Sequence, residues 1–155
     1  MRKLSENDVE AIYELCTGNK QFYQYHPPFV TRESIFGDLK DLPPGKSLED
    51  KLFIGHYDND ALIAIMDLIL GFPNKETAFI GLFMMNMAYQ GRGTGSKIIS
   101  ECLAGLSMQN FRKVRLAIDK GNPQSEHFWT KNMFIKTGEE FLTDSSVLLP
   151  MERVL

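Results

Sequence analysis

A run of alternate glycines, Tyr89-Gln-Gly-Arg-Gly-Thr-Gly95, constrains this chain more than any other feature. It follows a strand-like stretch, Thr77 to Asn86. It opens a segment in which Ile98, Ile99, Cys102, Leu103 and Leu106 recur as one helical face. Gly91, Gly93 and Gly95 let the backbone turn tightly and let a ligand come close. The start of a helix leaves N–H groups without partners and a partial positive charge. Strand, glycine turn and helix together predict a cradle for a phosphate-sized anion, and Arg92 adds a cation within reach of it. On local grounds a purely structural turn is an equal alternative. Two phosphate loops are excluded. No GxxxxGK[ST] run occurs, and a G-x-G-x-x-G count from Gly91 ends on Ser96 and from Gly93 on Ile98.

The rest of the chain sets this turn in a mixed α/β context. Arg2 to Leu4 reads as a short strand and Ser5 to about Cys16 as a helix, with Val9, Ile12, Tyr13 and Cys16 on one face and Ser5 as its cap. Phe22 to Pro28 is aromatic, ends in two prolines and predicts a loop. Thr31 to about Leu39 predicts a helix with Ile35, Phe36 and Leu39 inward. Leu52 to Tyr57, Ala61 to Leu70 and Thr77 to Asn86 predict an antiparallel meander, its first turn at Asp58-Asn59-Asp60. Val114 to Ile118 is a further strand, and Asn122-Pro123 starts a short helix to about Lys131. Val147 to Val154 is a last strand whose Pro150 argues for an edge or a bulge. The expected fold is a single α/β domain over residues 1–155, a mostly antiparallel central sheet flanked by helices. An antiparallel meander before the glycine turn does not fit a dinucleotide-binding unit.

Composition narrows the function classes. Seventeen Lys and Arg against twenty Asp and Glu give a charge of -3, without the basic surplus of a nucleic-acid binder. Two cysteines, Cys16 and Cys102, make no disulfide framework, and Cys102 is expected as a buried thiol. No Cys/His cluster suggests a metal. No signal-peptide pattern opens the chain, and its apolar runs are too short to span a bilayer. The expectation is a cytoplasmic protein without nucleic-acid or membrane partners.

The glycine turn and a later segment together resemble the GNAT superfamily of N-acetyltransferases. That family's acyl-CoA signature is Arg/Gln-x-x-Gly-x-Gly/Ala, matched by Gln90, Gly93 and Gly95, with Tyr89 before it. Phe83 and Met85 match the apolar pattern of the family's preceding strand. Asn122, Ser125, Phe128, Trp129, Lys131 and Phe134 match its later segment, roughly Asn-x-x-Ala-x-x-Phe-Tyr-x-Lys-x-Gly-Phe. The resemblance implies acetyl-CoA as co-substrate and no metal. It implies that backbone amides from Gln90 through Gly91, Arg92, Gly93 and Thr94 to Gly95 bind the pyrophosphate. It further implies that Phe83 and Met85 border the pantetheine, that Met85 offers it backbone groups, and that Asn122 hydrogen-bonds the cofactor arm. Phe128 and Trp129 then flank the thioester, and Lys131 approaches the phosphates. Local alternatives are core packing for Met85 and Phe128, a helix cap for Asn122 and a solvated charge for Lys131. Dimers are common in the family, but no residue singles out a dimer interface.

Two departures stand out. Trp129 replaces a tyrosine that in many members protonates the leaving thiolate; an indole N–H donates a hydrogen bond but is no useful acid. Met133 stands at the usual glycine. The base is not fixed by the resemblance. Asp67, inside the apolar run Ile63 to Leu70, is the first candidate for a base or amine anchor, its alternative a structural carboxylate paired with backbone or Arg. Asp119 reads as a turn former. Tyr23, Tyr25 and His26 are candidates for lining a substrate pocket, or for loop packing. The expected reaction is acetyl transfer from acetyl-CoA to a primary amine by direct attack in a ternary complex. The rival is an acyl-CoA-binding or sensing module without catalysis.

Overall fold

Three consecutive hydrogen-bonded strands from the middle of the chain form the scaffold on which everything else is hung. The computed structural model describes residues 1–155. After strand β1 (Arg2–Lys3) come helices α1 (Val9–Thr17), α2 (Lys20–Tyr25) and α3 (Arg32–Lys40). The meander follows as β2 (Lys51–Asp58), β3 (Ala61–Leu70) and β4 (Thr77–Met85). Helix α4 (Thr94–Met108), β5 (Lys113–Asp119) and α5 (Pro123–Lys131) come next, then β6 (Ile135–Lys136), β7 (Phe141–Leu142) and β8 (Val147–Val154). The sheet order is β1-β2-β3-β4-β5-β8-β6, with β7 also on β8, and only β4 and β5 run parallel. The expected mixed, mostly antiparallel sheet is what forms.

Alternation puts two apolar faces on that sheet. Ala64, Met66 and Leu68 of β3 join Ile98, Ile99, Leu103 and Leu106 of α4 and Trp129 of α5 in the larger cluster. Ile65 faces the other way, joined by Leu62 because the bulge at Ile63 shifts the alternation, against Val9, Ile12, Leu15 and Ile35 of α1 and α3. Each such fully buried aliphatic side chain contributes about 1.5–3 kcal/mol. No helix is long and apolar enough to cross a membrane.

The opening between β4 and β5 positions the site. Their parallel pairing covers only Thr77 to Ile80 against Lys113 to Leu116, although the strands continue to Met85 and Asp119. A β-bulge coincides with the parting. Asp67 of β3 opposes Leu82 and Leu68 opposes Ile80, so Gly81 is the extra residue in β4. A Cβ on Gly81 would stand 2.8 Å from a carboxylate oxygen of Asp67. The bulge therefore bends β4 away from β5 and leaves room for a charged group.

Several local expectations are corrected. The aromatic segment after Phe22 is not all loop, because Lys20 to Tyr25 form helix α2. It ends at His26, whose N–H donates to the Phe22 carbonyl, and Pro27 and Pro28 prevent continuation. The first helix starts as a 3-10 turn over Glu6 to Asp8, capped by Ser5, before α1. Phe36 points outward, 40% exposed, while Ile35 is buried. Cys102 is only partly buried. Strand β8 lies inside the sheet, not at its edge. Pro150 is tolerated because its carbonyl accepts from Thr137 on the flank away from β5. The N and O of a strand residue face the same side, so no β5 hydrogen bond is lost there. That flank lies in the gap between β6 and β7, which pair with β8 on either side of Pro150.

Candidate functional site

The glycine turn is rigid for identifiable reasons. Gly91 and Gly93 have φ of +74° and +80°, left-handed values that disfavour other residues. Gly93 is the N-cap of α4, and no side chain caps that end. The first-turn amides are thus left to an incoming acceptor. Gly95 serves packing instead: a Cβ there would meet the Phe128 ring at 3.1 Å, so its absence lets α5 approach α4.

A cleft of about 340 Å³ opens in front of these amides. Phe83, Met85, Gln90, Gly91, Gly93 and Gly95 line it from β4 and the turn, and Phe128, Trp129 and Lys131 from α5. Phe83 stacks on Phe128 at 5.6 Å between ring centroids, and Trp129 packs edge-on against Phe128 and Phe134 at 5.0 Å. Arg92 and Thr94 do not line the cleft, although the glycines on either side of each do. Asn122 does not line it either. It is 2% exposed, and its side-chain oxygen caps α5 by accepting from the Ser125 N–H, so the local alternative of a helix cap describes it. The Met85 carbonyl, expected to face a pantetheine arm, already accepts from Asn19 Nδ2 at 3.0 Å and Gln90 Nε2 at 3.1 Å. Asn19 was missed by sequence reasoning. It is buried at the α1–α2 junction, and its Oδ1 accepts from Gln90 at 2.9 Å, locking the turn to the first helices.

Met133, at the position where the resemblance expects glycine, has φ +67° and is exposed. The backbone after α5 thus keeps the left-handed turn that glycine would supply, at a local cost of about 1–2 kcal/mol.

A second cavity of about 410 Å³ lies in the opening between β4 and β5, under α2 and α3. Its polar lining comes from Asp38, Asp67, Asp119, His26, Tyr23, Ser34 and Ser125. Tyr23 and His26 are therefore brought to this wall, whereas Tyr25 of the same helix lies outside both cavities. Burial pushes the Tyr23 phenol well above its ordinary range, so it stays neutral.

Asp67 is paired, though with neither backbone nor Arg. The ammonium of Lys51, 3% exposed, donates to its Oδ2 at 2.8 Å and to the Asp41 carbonyl at 3.0 Å. Oδ1 is buried without a hydrogen-bond partner. Burial raises the carboxyl above its usual value and Lys51 opposes that rise. Asp38, also unremarked in the sequence, sits on the concave wall with part of its surface open to water. Crowding by that wall, with repulsion from Asp67 and Asp41, pushes its carboxyl up to about 6. Asp119 is not a turn former alone: it is 5% exposed, and its carboxylate contacts His26 Nδ1 at 3.0 and 3.1 Å.

The two cavities meet. Phe22, Phe83, Ser125 and Trp129 line both. One chamber offers backbone amides and a lysine, suited to an anion. The other offers three carboxylates against one lysine that is already engaged, suited to a cation. No group of His, Cys, Asp and Glu with metal-ligand geometry is present.

Known proteins share this architecture. An acetyltransferase from Thermus thermophilus superposes with a TM-score of 0.78 at 19% identity, over 99% of this chain and 94% of that one. The PaiA N-acetyltransferase from Thermoplasma acidophilum, solved in complex with coenzyme A, gives 0.72 at 18% identity, over 99% and 97%. Spermidine N-acetyltransferase from Vibrio cholerae, solved with CoA and spermine, gives 0.70 at 18% identity, over 99% and 93%. A comparison with curated proteins finds no significant sequence match. The family model of the acetyltransferase (GNAT) family matches residues 9–133, a span that holds the glycine turn, the opened strands and every lining residue of both chambers except Leu148. The chain belongs to the acetyltransferase (GNAT) family.

Proposed function

We propose that this acetyltransferase moves an acetyl group from acetyl-CoA to a primary amine, with both substrates bound together. The observation that carries this reading is the meeting of an anion-binding cleft and an acidic cavity at Phe22, Phe83, Ser125 and Trp129. Acetyl-CoA supplies an acetyl group already activated as a thioester. The amides of the turn and of the α4 N-terminus hold its pyrophosphate, and Lys131 adds a cation at the rim. The aromatic wall of Phe83, Phe128 and Trp129 excludes water where the chambers join. An acceptor enters as an ammonium, drawn to the side that carries Asp38, Asp67 and Asp119. The spermine bound to the Vibrio cholerae relative supports a cationic amine as the acceptor class. The junction holds no activated nucleophile: both cysteines lie outside the two cavities, burial pushes each thiol up to about 11, and the Ser125 hydroxyl, which borders both chambers, has no base hydrogen-bonded to it. Direct attack by the amine is the route this leaves.

Calorimetric titration with acetyl-CoA, with ATP and NAD as controls, tests the first half. Saturable binding of acetyl-CoA alone is expected. Its absence up to about millimolar ligand, a binding free energy near -4 kcal/mol, overturns the reading. Release of free CoA thiol on adding spermidine or a peptide with a free N-terminus tests the second half.

A further inference from the structure

One pair of groups at the acidic cavity has no role so far. His26 caps the C-terminus of α2, and Asp119 is the last residue of β5. They are 93 residues apart in sequence, yet His26 Nδ1 stands 3.1 and 3.0 Å from the two oxygens of Asp119. The carboxylate side chain is 6% exposed and the imidazole 50% exposed. A carboxylate can only accept, so Nδ1 carries the hydrogen and donates it. In the neutral ring this leaves the lone pair on Nε2. Phe22 supports the ring from within α2, its centroid 5.4 Å away, and Phe22 itself borders both chambers. A basic nitrogen is thus held in one tautomer by a buried partner, on the wall where the acceptor is expected. Asp67 is less suited to this task, because Lys51 holds one of its oxygens and the other is buried.

Building on the acetyl-transfer reading, we infer that His26 is the general base that deprotonates the acceptor amine, with Asp119 as its positioning residue. The acceptor arrives as R-NH3+, and Nε2 takes one proton, leaving a neutral amine and an imidazolium. The amine lone pair forms the N–C bond to the acetyl carbon while the C–S bond breaks and its electron pair leaves on sulfur. The second nitrogen proton neutralises that thiolate, giving the amide and CoA thiol. The imidazolium then releases its proton to water through its exposed edge. Asp119 holds the ring in orientation and stabilises the imidazolium while it exists. The other charged group facing the ring is Asp38 from α3, which senses its charge.

Two readouts test this, with folding of each variant checked by circular dichroism. Imidazole nitrogen NMR of the free protein should show His26 protonated at Nδ1 and bare at Nε2. Asp119→Asn should mix the tautomers. A dominant Nε2–H form in the unaltered protein overturns the proposal. The second readout is kinetic, with acetyl-CoA and spermidine as the probe amine. His26→Gln should lower kcat about 100-fold near neutral pH and abolish the acid-side fall of the pH–rate profile. Its KM for acetyl-CoA should stay within about threefold. A kcat within about threefold of the parent with an unchanged profile overturns the assignment. So does loss of the acid limb in Asp38→Asn in place of His26→Gln. If the parent binds acetyl-CoA but does not turn over spermidine, the tautomer readout alone decides the dyad. If the parent does not bind acetyl-CoA, the acetyl-transfer reading fails, and with it the role given to His26.

Discussion

The two chambers meet at one aromatic wall, yet they are built from different materials. The cleft takes its binding groups from the backbone of a single short segment, held by glycine conformations and a helix start. The acidic cavity takes its groups from side chains far apart in sequence: His26 with Asp119, Lys51 with Asp67, and Asp38 from a third element. Backbone amides give a site that tolerates side-chain change but not change of φ. Side-chain carboxylates give a site whose charge each residue can alter and whose presence strains the fold around it. This difference fits a cofactor that is always the same and an acceptor that varies from one member of a family to the next.

The largest expected effect comes from breaking the side-chain chamber. Lys51→Met leaves the carboxylate of Asp67 buried without a counter-ion. Such a break costs about 3 kcal/mol where, as here, one partner keeps some solvent. In a chain of this size that is a fall in Tm of about 8 °C by thermal denaturation. Acetyl-CoA affinity should change less than about threefold, because the amides of the cleft do not depend on the pair. A large loss of acetyl-CoA binding without loss of stability would break the comparison. The reciprocal variant, Gly93→Val, forces a β-branched residue to φ +80° at the N-cap of α4. The strain of about 1–3 kcal/mol moves the turn, and acetyl-CoA binding measured by calorimetry should weaken about 50-fold. The acidic cavity should survive, with the His26 tautomer unchanged by NMR.

The same contrast explains what could be read from the sequence. A local backbone site leaves a local signature, and Gln90, Gly91, Gly93 and Gly95 stand where their spacing puts them. The meander and the helix after it follow from periodicity that burial enforces on each element separately. Asn122 carried two readings on one spacing, and the structure shows the local one, its side-chain oxygen capping its own helix start. The acidic cavity was mostly hidden. Asp67 was visible as a charge in an apolar run, but Lys51 opens its strand as an ordinary charge and Asp38 sits among other charged residues of α3. Only the sheet register sets Phe53 opposite Asp67 and so brings Lys51 diagonally within reach. Asp119 read as a strand terminator because nothing in its neighbourhood names a partner 93 residues away.

The smallest predicted effect sharpens the comparison through pH. Asp38 ionises in the unfolded chain with its ordinary value, 3.8, but in the folded protein only around 6. Below both values the carboxyl is neutral in either state and has no effect. As pH rises through that window the unfolded state sheds the proton first, so folding loses stability, and above about 6 the loss is complete. Asp38→Asn cannot ionise and escapes it. Because part of Asp38 meets water, the gain is modest: a Tm about 2 °C above the parent at neutral pH, and no difference near pH 4. A cation in the cavity reverses the balance, since it stabilises the ionised form that the empty cavity disfavours. Spermidine should therefore raise the parent's Tm more than the variant's at neutral pH, with the difference vanishing near pH 4. Equal shifts in both proteins would mean that Asp38 does not face the acceptor. The acidic chamber would then owe its attraction for amines to Asp67 and Asp119 alone.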